Sequence, residues 1–371
     1  MAKIALYLAG GGARGAYQVG VLKAIQHILE AKSLPFEVIS GVSIGSINAA
    51  ILAESAHDFA IGTEKLEALW RDISSHSIFD ASNYGLSKSL LSNISSAILK
   101  NNQTSHLLDS RPLQSFINEH VHFKTIQSHI DNGTIEAFEI ISHCYETQQT
   151  ISFYQYHEPI FEDWQYPRHV SQRTHLTMEH LLASSALPFF FPTVKIDGLH
   201  FGDGSMGLVS PLRGAIRFQA ERVLIIGTRP LSDFSHTHLA YKEGIGFANV
   251  LGSMLSGLFL DNLDRDIEMV NRMNDIARLL SLWKKRYSPW RPIKTLYLRP
   301  GKDIAAIAQA QYKSMPTLLR YMLNLLGAKS HSGDLLSFLL FEPAFAKELL
   351  DLGYQDGMER KAEIIEFFTG R

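Results

Sequence analysis

The chain opens on an apolar run, Ile4-Ala5-Leu6-Tyr7-Leu8-Ala9, followed at once by glycines. The run is long enough for one buried strand and too short for the core of a signal peptide. After the loop at residues 10–15, Val19, Leu22, Ile25, Ile28 and Leu29 recur at helical spacing. Pro35 punctuates, and residues 36–40 read as a second short buried strand. A sharp turn at residues 41–45 leads into a helix carrying Ile47, Ala50, Ile51 and Ala53. Strand, loop, helix, strand, turn, helix predicts parallel strands with helices on the sheet faces.

Further along, the pattern weakens and then recovers. Residues 70–130 are polar and rich in Ser, Asn and His, and read as an insertion of helices and loops. Residues 135–142 and 150–156 alternate as strands and suggest a hairpin. Residues 194–201 hold the dipeptide Asp197-Gly198 between two apolar runs, a second hairpin signal. Residues 222–227 and 293–298 read as buried strands. Helices dominate from about 237, including 318–326 and 335–340. No internal repeat and no Pro/Gly/Ser linker divides the chain, so one elaborated domain is expected.

Composition narrows the class. The 371 residues are 46% apolar, 19% charged and 10% aromatic, which excludes a mainly disordered chain. Thirty-five Lys and Arg against 37 Asp and Glu leave a net charge of −2, which argues against a strongly basic nucleic-acid binder. The lone Cys144 cannot form an internal disulfide, and it excludes a Cys-rich zinc or iron–sulfur site. No segment reaches the ~18 uninterrupted apolar residues of a membrane span. The nearest, 245–260, is broken by Gly246, Asn249, Gly252, Ser253, Ser256 and Gly257, and reads as a buried or interfacial helix. The expectation is a cytoplasmic chain without a membrane span, with peripheral contact at a membrane surface left open.

The glycine loop Gly10-Gly11-Gly12-Ala13-Arg14-Gly15 can turn several amides toward one point at a helix N-terminus. Such a nest suits a phosphate or a transient oxyanion. It also fits G-x-G-x-x-G, but a dinucleotide site wants an acid at the end of the next strand. Glu37 lies at that strand's start, and its far end carries Ser40-Gly41-Val42-Ser43 instead. Gly41-Val42-Ser43-Ile44-Gly45 matches G-x-S-x-G, the strand–turn–helix that lifts a serine above a sheet. A serine nucleophile needs a base. None of the 16 histidines stands in a distinctive setting, and His200 and His331 read as surface or structural residues. Asp203 sits between Gly202 and Gly204 at a strand end, aimed where a cleft would lie. Asp197-Gly198 and Asp356-Gly357 read as plain turns.

Taken in order, the glycine loop, the Ser43 elbow, Asp203-Gly204 and the block from Ala183 to Pro192 resemble the patatin-like phospholipase family. The resemblance spans about residues 4–230, and more softly the helical stretch 231–371, a C-terminal extension packed on the core. It implies a three-layer α/β/α sandwich and a Ser–Asp dyad with no catalytic histidine. Ser43 matches the nucleophile and Asp203 the general base. Gly11, Gly12 and Ala13 fall in the oxyanion block, with Arg14 beside them as a phosphate binder or a brace. The family usually has Gly or Ala after Asp-Gly, and Ser205 departs from that. The implied activity is hydrolysis of lipid acyl esters at a membrane surface, of phospholipase A or lysophospholipase type, with no metal and no cofactor. The rivals are an acyltransferase on the same dyad, a non-catalytic lipid-binding protein, and a nucleotide-binding enzyme. The apolar residues 187–191 and 245–260 are candidates to line an acyl groove.

Overall fold

The computed structural model describes residues 2–79, 108–158, 160–230, 247–279, 291–325 and 333–370. Along the chain, β1 (Ile4–Leu8) leads through the glycine loop into α1 (Gly15–Leu29). Then β2 (Val38–Val42) turns at once into α2 (Ile44–Glu54), followed by α3 (Phe59–Arg71) and the single turn α4 (Ser75–Ile78). After residues 80–107, which lie outside the described residues, come α5 (Arg111–His120) and α6 (Phe123–Asp131). Next are β3 (Ala137–Cys144), β4 (Gln149–Tyr156), β5 (Gln165–Tyr166), β6 (His169–Arg173) and α7 (Met178–Ser184). The hairpin β7 (Val194–Ile196) and β8 (Leu199–Asp203) precedes α8 (Arg213–Arg217) and β9 (Arg222–Ile226). The remainder holds α9 (Phe247–Leu279), β10 (Lys294–Leu298), α10 (Ile304–Ala310), α11 (Thr317–Leu325), α12 (Gly333–Leu339), α13 (Pro343–Glu359) and α14 (Lys361–Thr369).

The strands form one mixed sheet in the order β10-β9-β1-β2-β3-β4-β6-β5. Pairing is parallel from β10 to β3, as the alternation of strands and helices predicts. Beyond β3 the sheet changes character. The β3–β4 hairpin is antiparallel, and β8 pairs antiparallel with the far end of β3. Five-residue β1, β2 and β9 are buried on both faces, which is why they read as continuous apolar runs and not as alternating ones. One apolar cluster joins one sheet face to α1, α2, α3 and α13, and a second joins the other face to α8 and α9. The architecture is therefore a three-layer α/β/α fold.

Three expectations shift. The second strand lies two positions later than residues 36–40, because the Glu37 carboxylate accepts the Ile4 N–H at 2.7 Å and pins the strand entry. The helix expected over 245–260 continues unbroken to Leu279. Asp356-Gly357 is no turn: both residues lie inside α13, where a Cβ on Gly357 would stand 2.6 Å from Ala24 Cβ, and Asp356 caps the Gly301 N–H at 2.8 Å. The glycine permits close approach of α13 to α1 and signals packing. In the region after 230, β10 extends the sheet beside β9, and the helices share the main apolar core. Residues 231–246 and His331 lie outside the described residues.

Candidate active site

Strand β3 acts as the ruler of the site. Val42, the last residue of β2, opposes Ile141, and Asp203, the last residue of β8, opposes the next residue, Ser142. Two strands that end on neighbouring β3 positions bring Ser43 and Asp203 together although 160 positions separate them in sequence.

Ser43 has φ 56° and ψ −133°, a conformation that L-residues resist and that holds the side chain clear of α2. The turn is possible because glycines flank it. A Cβ on Gly45 would stand 2.2 Å from the Leu8 carbonyl oxygen, so the elbow sits directly against the end of β1 and the glycine loop. The Ser43 carbonyl accepts from the Ser46 hydroxyl at 2.6 Å.

Asp203 is fully buried, and burial pushes its carboxyl up to about 7. The Ser43 hydroxyl and the Ser205 amide, which donates to Oδ1 at 2.9 Å, act the other way and favour the anion. Oδ2 has no partner of regular hydrogen-bond geometry among the described residues, so the contact with Ser43 is loose. Proton-transfer pairs often tighten only around substrate. Because the amide of Ser205 does the pinning, its departure from the usual small residue leaves Asp203 seated. No described histidine hydrogen-bonds Ser43 or Asp203; His200 pairs with Glu146 at 2.6 Å on the surface.

The glycine loop lies beside this pair. Gly11 has φ 153° and Gly12 φ 56°. Among the described residues, no hydrogen bond engages the amides of Gly11, Gly12 or Ala13, while the Arg14 amide closes back on the Gly11 carbonyl at 3.2 Å. Supports that sequence reading missed hold the loop from behind. Thr228, just past β9, donates to the Gly10 carbonyl at 2.6 Å. Gln18 donates to the Ala9 carbonyl at 2.7 Å and is itself held by Asn48, which Trp70 clamps at 2.9 Å. The available signal was an amide side chain on the buried face of each of two helices, Gln18 in α1 and Asn48 in α2.

Arg14 is used for bracing. It is 2% exposed, its Nε donates to Ser337 Oγ at 2.8 Å, and it pairs with Asp334 at 3.2 Å. Its guanidinium also lies 4.4 Å from the centre of the Phe338 ring. Two of its nitrogens and one face of the guanidinium are thereby committed to α12.

Above Ser43 is a narrow slot lined by Ile47, Leu113, Leu187, Phe191, Phe338 and Leu339, among others, with Gly12 and Ser185. Its open space is about 30 Å³, room for a water or two. An acyl chain enters only if these side chains move. Of the two apolar stretches expected to line a groove, 187–191 contributes Leu187 and Phe191; no described residue of 245–260 lines the slot.

Comparison with known proteins places the family. The model of the patatin-like phospholipase family matches residues 6–216, more than half of the chain. The chain belongs to that family. A patatin-like phospholipase domain-containing protein of Caenorhabditis elegans is 37% identical over 76 residues, 19% of this chain and 5% of that protein. Lysophospholipase nte1 of Aspergillus terreus is 49% identical over 53 residues, 14% of this chain and 3% of that protein. The matched segments thus span a twentieth or less of these curated relatives. Human GIVD cytosolic phospholipase A2 aligns over 99% of this chain and 60% of its own, with a TM-score of 0.48 and 12% identity. No described helix is long and apolar enough to cross a membrane.

Proposed function

We propose that the protein hydrolyses acyl esters of lipids through Ser43 and Asp203. The observation that carries this reading is a strained serine facing a fully buried carboxylate whose pKa is pushed up to about 7, at the floor of an apolar slot. A carboxylate of ordinary pKa is a poor base; one poised near neutrality matches the task.

Asp203 accepts the Ser43 proton as Oγ attacks the ester carbonyl carbon. The carbonyl oxygen becomes an oxyanion held by the amides of Gly11, Gly12 and Ala13, each worth about 3 kcal/mol in the transition state. Collapse breaks the carbon–alkoxy bond, and Asp203 returns its proton to the leaving alcohol. Water, deprotonated by Asp203, then attacks the acyl-serine, and the proton goes back to Ser43 as the fatty acid leaves. Arg14 keeps the amide cradle in place and takes no part in proton transfer. The apolar lining of the slot suits an acyl chain once its side chains move, and the substrate is a lipid met at a membrane or micelle surface.

The test replaces Ser43 with Ala and, separately, Asp203 with Asn, and assays a chromogenic acyl ester and a phospholipid. Both variants should lose activity on both substrates. Full activity in either one defeats the dyad. Product analysis with an added acceptor alcohol separates hydrolysis from acyl transfer, and failure of a fluorophosphonate to label Ser43 would favour a non-catalytic lipid binder.

A further inference from the structure

We propose that Ser184 is the positioning residue of the site, and that the three residues Ser184–Ala186 hold both members of the dyad in register. This rests on Ser43 and Asp203 acting as proposed above.

The side chain of Ser184 stands between the two strands that meet on β3. Its Oγ accepts the Ser43 N–H at 3.0 Å and donates to the Ile141 carbonyl at 2.6 Å. Ile141 is the β3 residue opposite Val42. The hydroxyl therefore ties the amide of the strained residue to the strand that sets its position. Two residues on, the Ala186 carbonyl accepts the Asp203 N–H at 3.0 Å. One short segment at the end of α7 thus grips the backbone of Ser43 through a side chain and that of Asp203 through a carbonyl.

The grip has a physical purpose. Ser43 sits at positive φ, so its backbone stores strain that the surroundings must offset. Without a partner, its buried N–H would gain by relaxing toward the common region of backbone space, and the Oγ would swing away from Asp203. Ser184 is fully buried, and its hydroxyl donates one hydrogen bond and accepts one here. The neighbouring Ser185 differs: its hydroxyl has no partner among the described residues and it lines the slot.

Loss of the grip has a signature that a purely structural role lacks. The Ser43 hydroxyl favours the Asp203 anion. If Ser43 drifts, the Asp203 carboxyl should rise above its present value of about 7. Among the described residues, the charge of Asp203 also couples to Tyr145 and Tyr7, both pushed up by burial and neutral across that range.

The experiment measures the rate of Ser43 labelling by a fluorophosphonate from pH 5 to 9 in the wild type, Ser184→Ala and Ser184→Thr, with thermal melts alongside. Ser184→Ala should label at least tenfold more slowly, with its acid limb moved to higher pH, and Ser184→Thr should recover most of the rate. Wild-type rate and an unshifted limb in folded Ser184→Ala overturn the proposal, as does a folded Ser184→Thr no faster than the alanine variant. Should Ser184→Ala not fold, Ser184→Cys carries the same comparison, since its thiol fills the space with a weak donor and acceptor. A wild type that is not labelled at all sinks the dyad instead, and so separates the two failures.

Discussion

Arg14 donates from Nε to the Oγ of Ser337, 323 positions later, at 2.8 Å. The C-terminal helices therefore brace the loop that faces Ser43. Replacing Arg14 with Ala removes its bonds to Ser337 and Asp334 and opens a buried space. Stability should fall by about 1–3 kcal/mol. Activity should fall equally on a phospholipid and on an uncharged ester, because the loop loosens for both. A loss confined to the phospholipid, read from kcat/KM on each substrate, would restore Arg14 as a phosphate contact.

Gly12 and α12 leave no room for a side chain. A Cβ on Gly12 would stand 2.2 Å from the Phe338 carbonyl oxygen, at a φ of 56° that disfavours it anyway. Gly12→Ala should push α12 off the loop, abolish measurable activity and lower the melting temperature. A melting curve and activity like those of the wild type would show that the loop and α12 are not coupled.

Asp203 sets the pH dependence. As the proposed base it must be unprotonated, so kcat/KM should fall as pH drops through about 7. Its contribution to stability runs opposite to that of an ordinary ion-paired carboxylate. The folded-state pKa lies above the unfolded one, so the folded chain binds the proton more tightly. That stability is present below the unfolded value near 4 and is lost as pH rises through about 7. Asp203→Asn should therefore be inactive yet more stable than the wild type at pH 8, by about 2 kcal/mol. Denaturant titrations of both proteins at pH 5 and pH 8 check the sign: the gap should narrow at the lower pH.

Ser43→Gly should remove the nucleophile and relieve the strain at φ 56° together. Relief of backbone strain is worth about 1 kcal/mol after the added entropy of glycine is subtracted. The variant should melt above Ser43→Ala, which keeps the strained conformation without the hydroxyl. Equal melting temperatures would mean that the elbow is not under strain.

Local chemistry was legible where it is written in adjacent residues. The Asp197-Gly198 turn appears as expected, with φ 49° and 86° at the two positions. The Ser43 elbow was readable from its two glycines, and Asp203 from its place at a strand end. The supports were not. Thr228, Gln18, Asn48, Trp70 and Ser184 each make sense only beside a partner from another element. Asp356-Gly357 misled because the same dipeptide serves a tight turn and a close helix contact equally well.

By itself, the order of apolar runs and glycines determined the layered α/β architecture and the place of the Ser43 turn between a strand and a helix, because strand burial and turn geometry depend on near neighbours along the chain. Tertiary structure alone decided that β2 and β8 end on neighbouring residues of β3, that Arg14 faces inward to Ser337, and that the slot is nearly shut. Those are relations between surfaces far apart in the chain, set by how packed elements share space, and no local pattern encodes the distance between them.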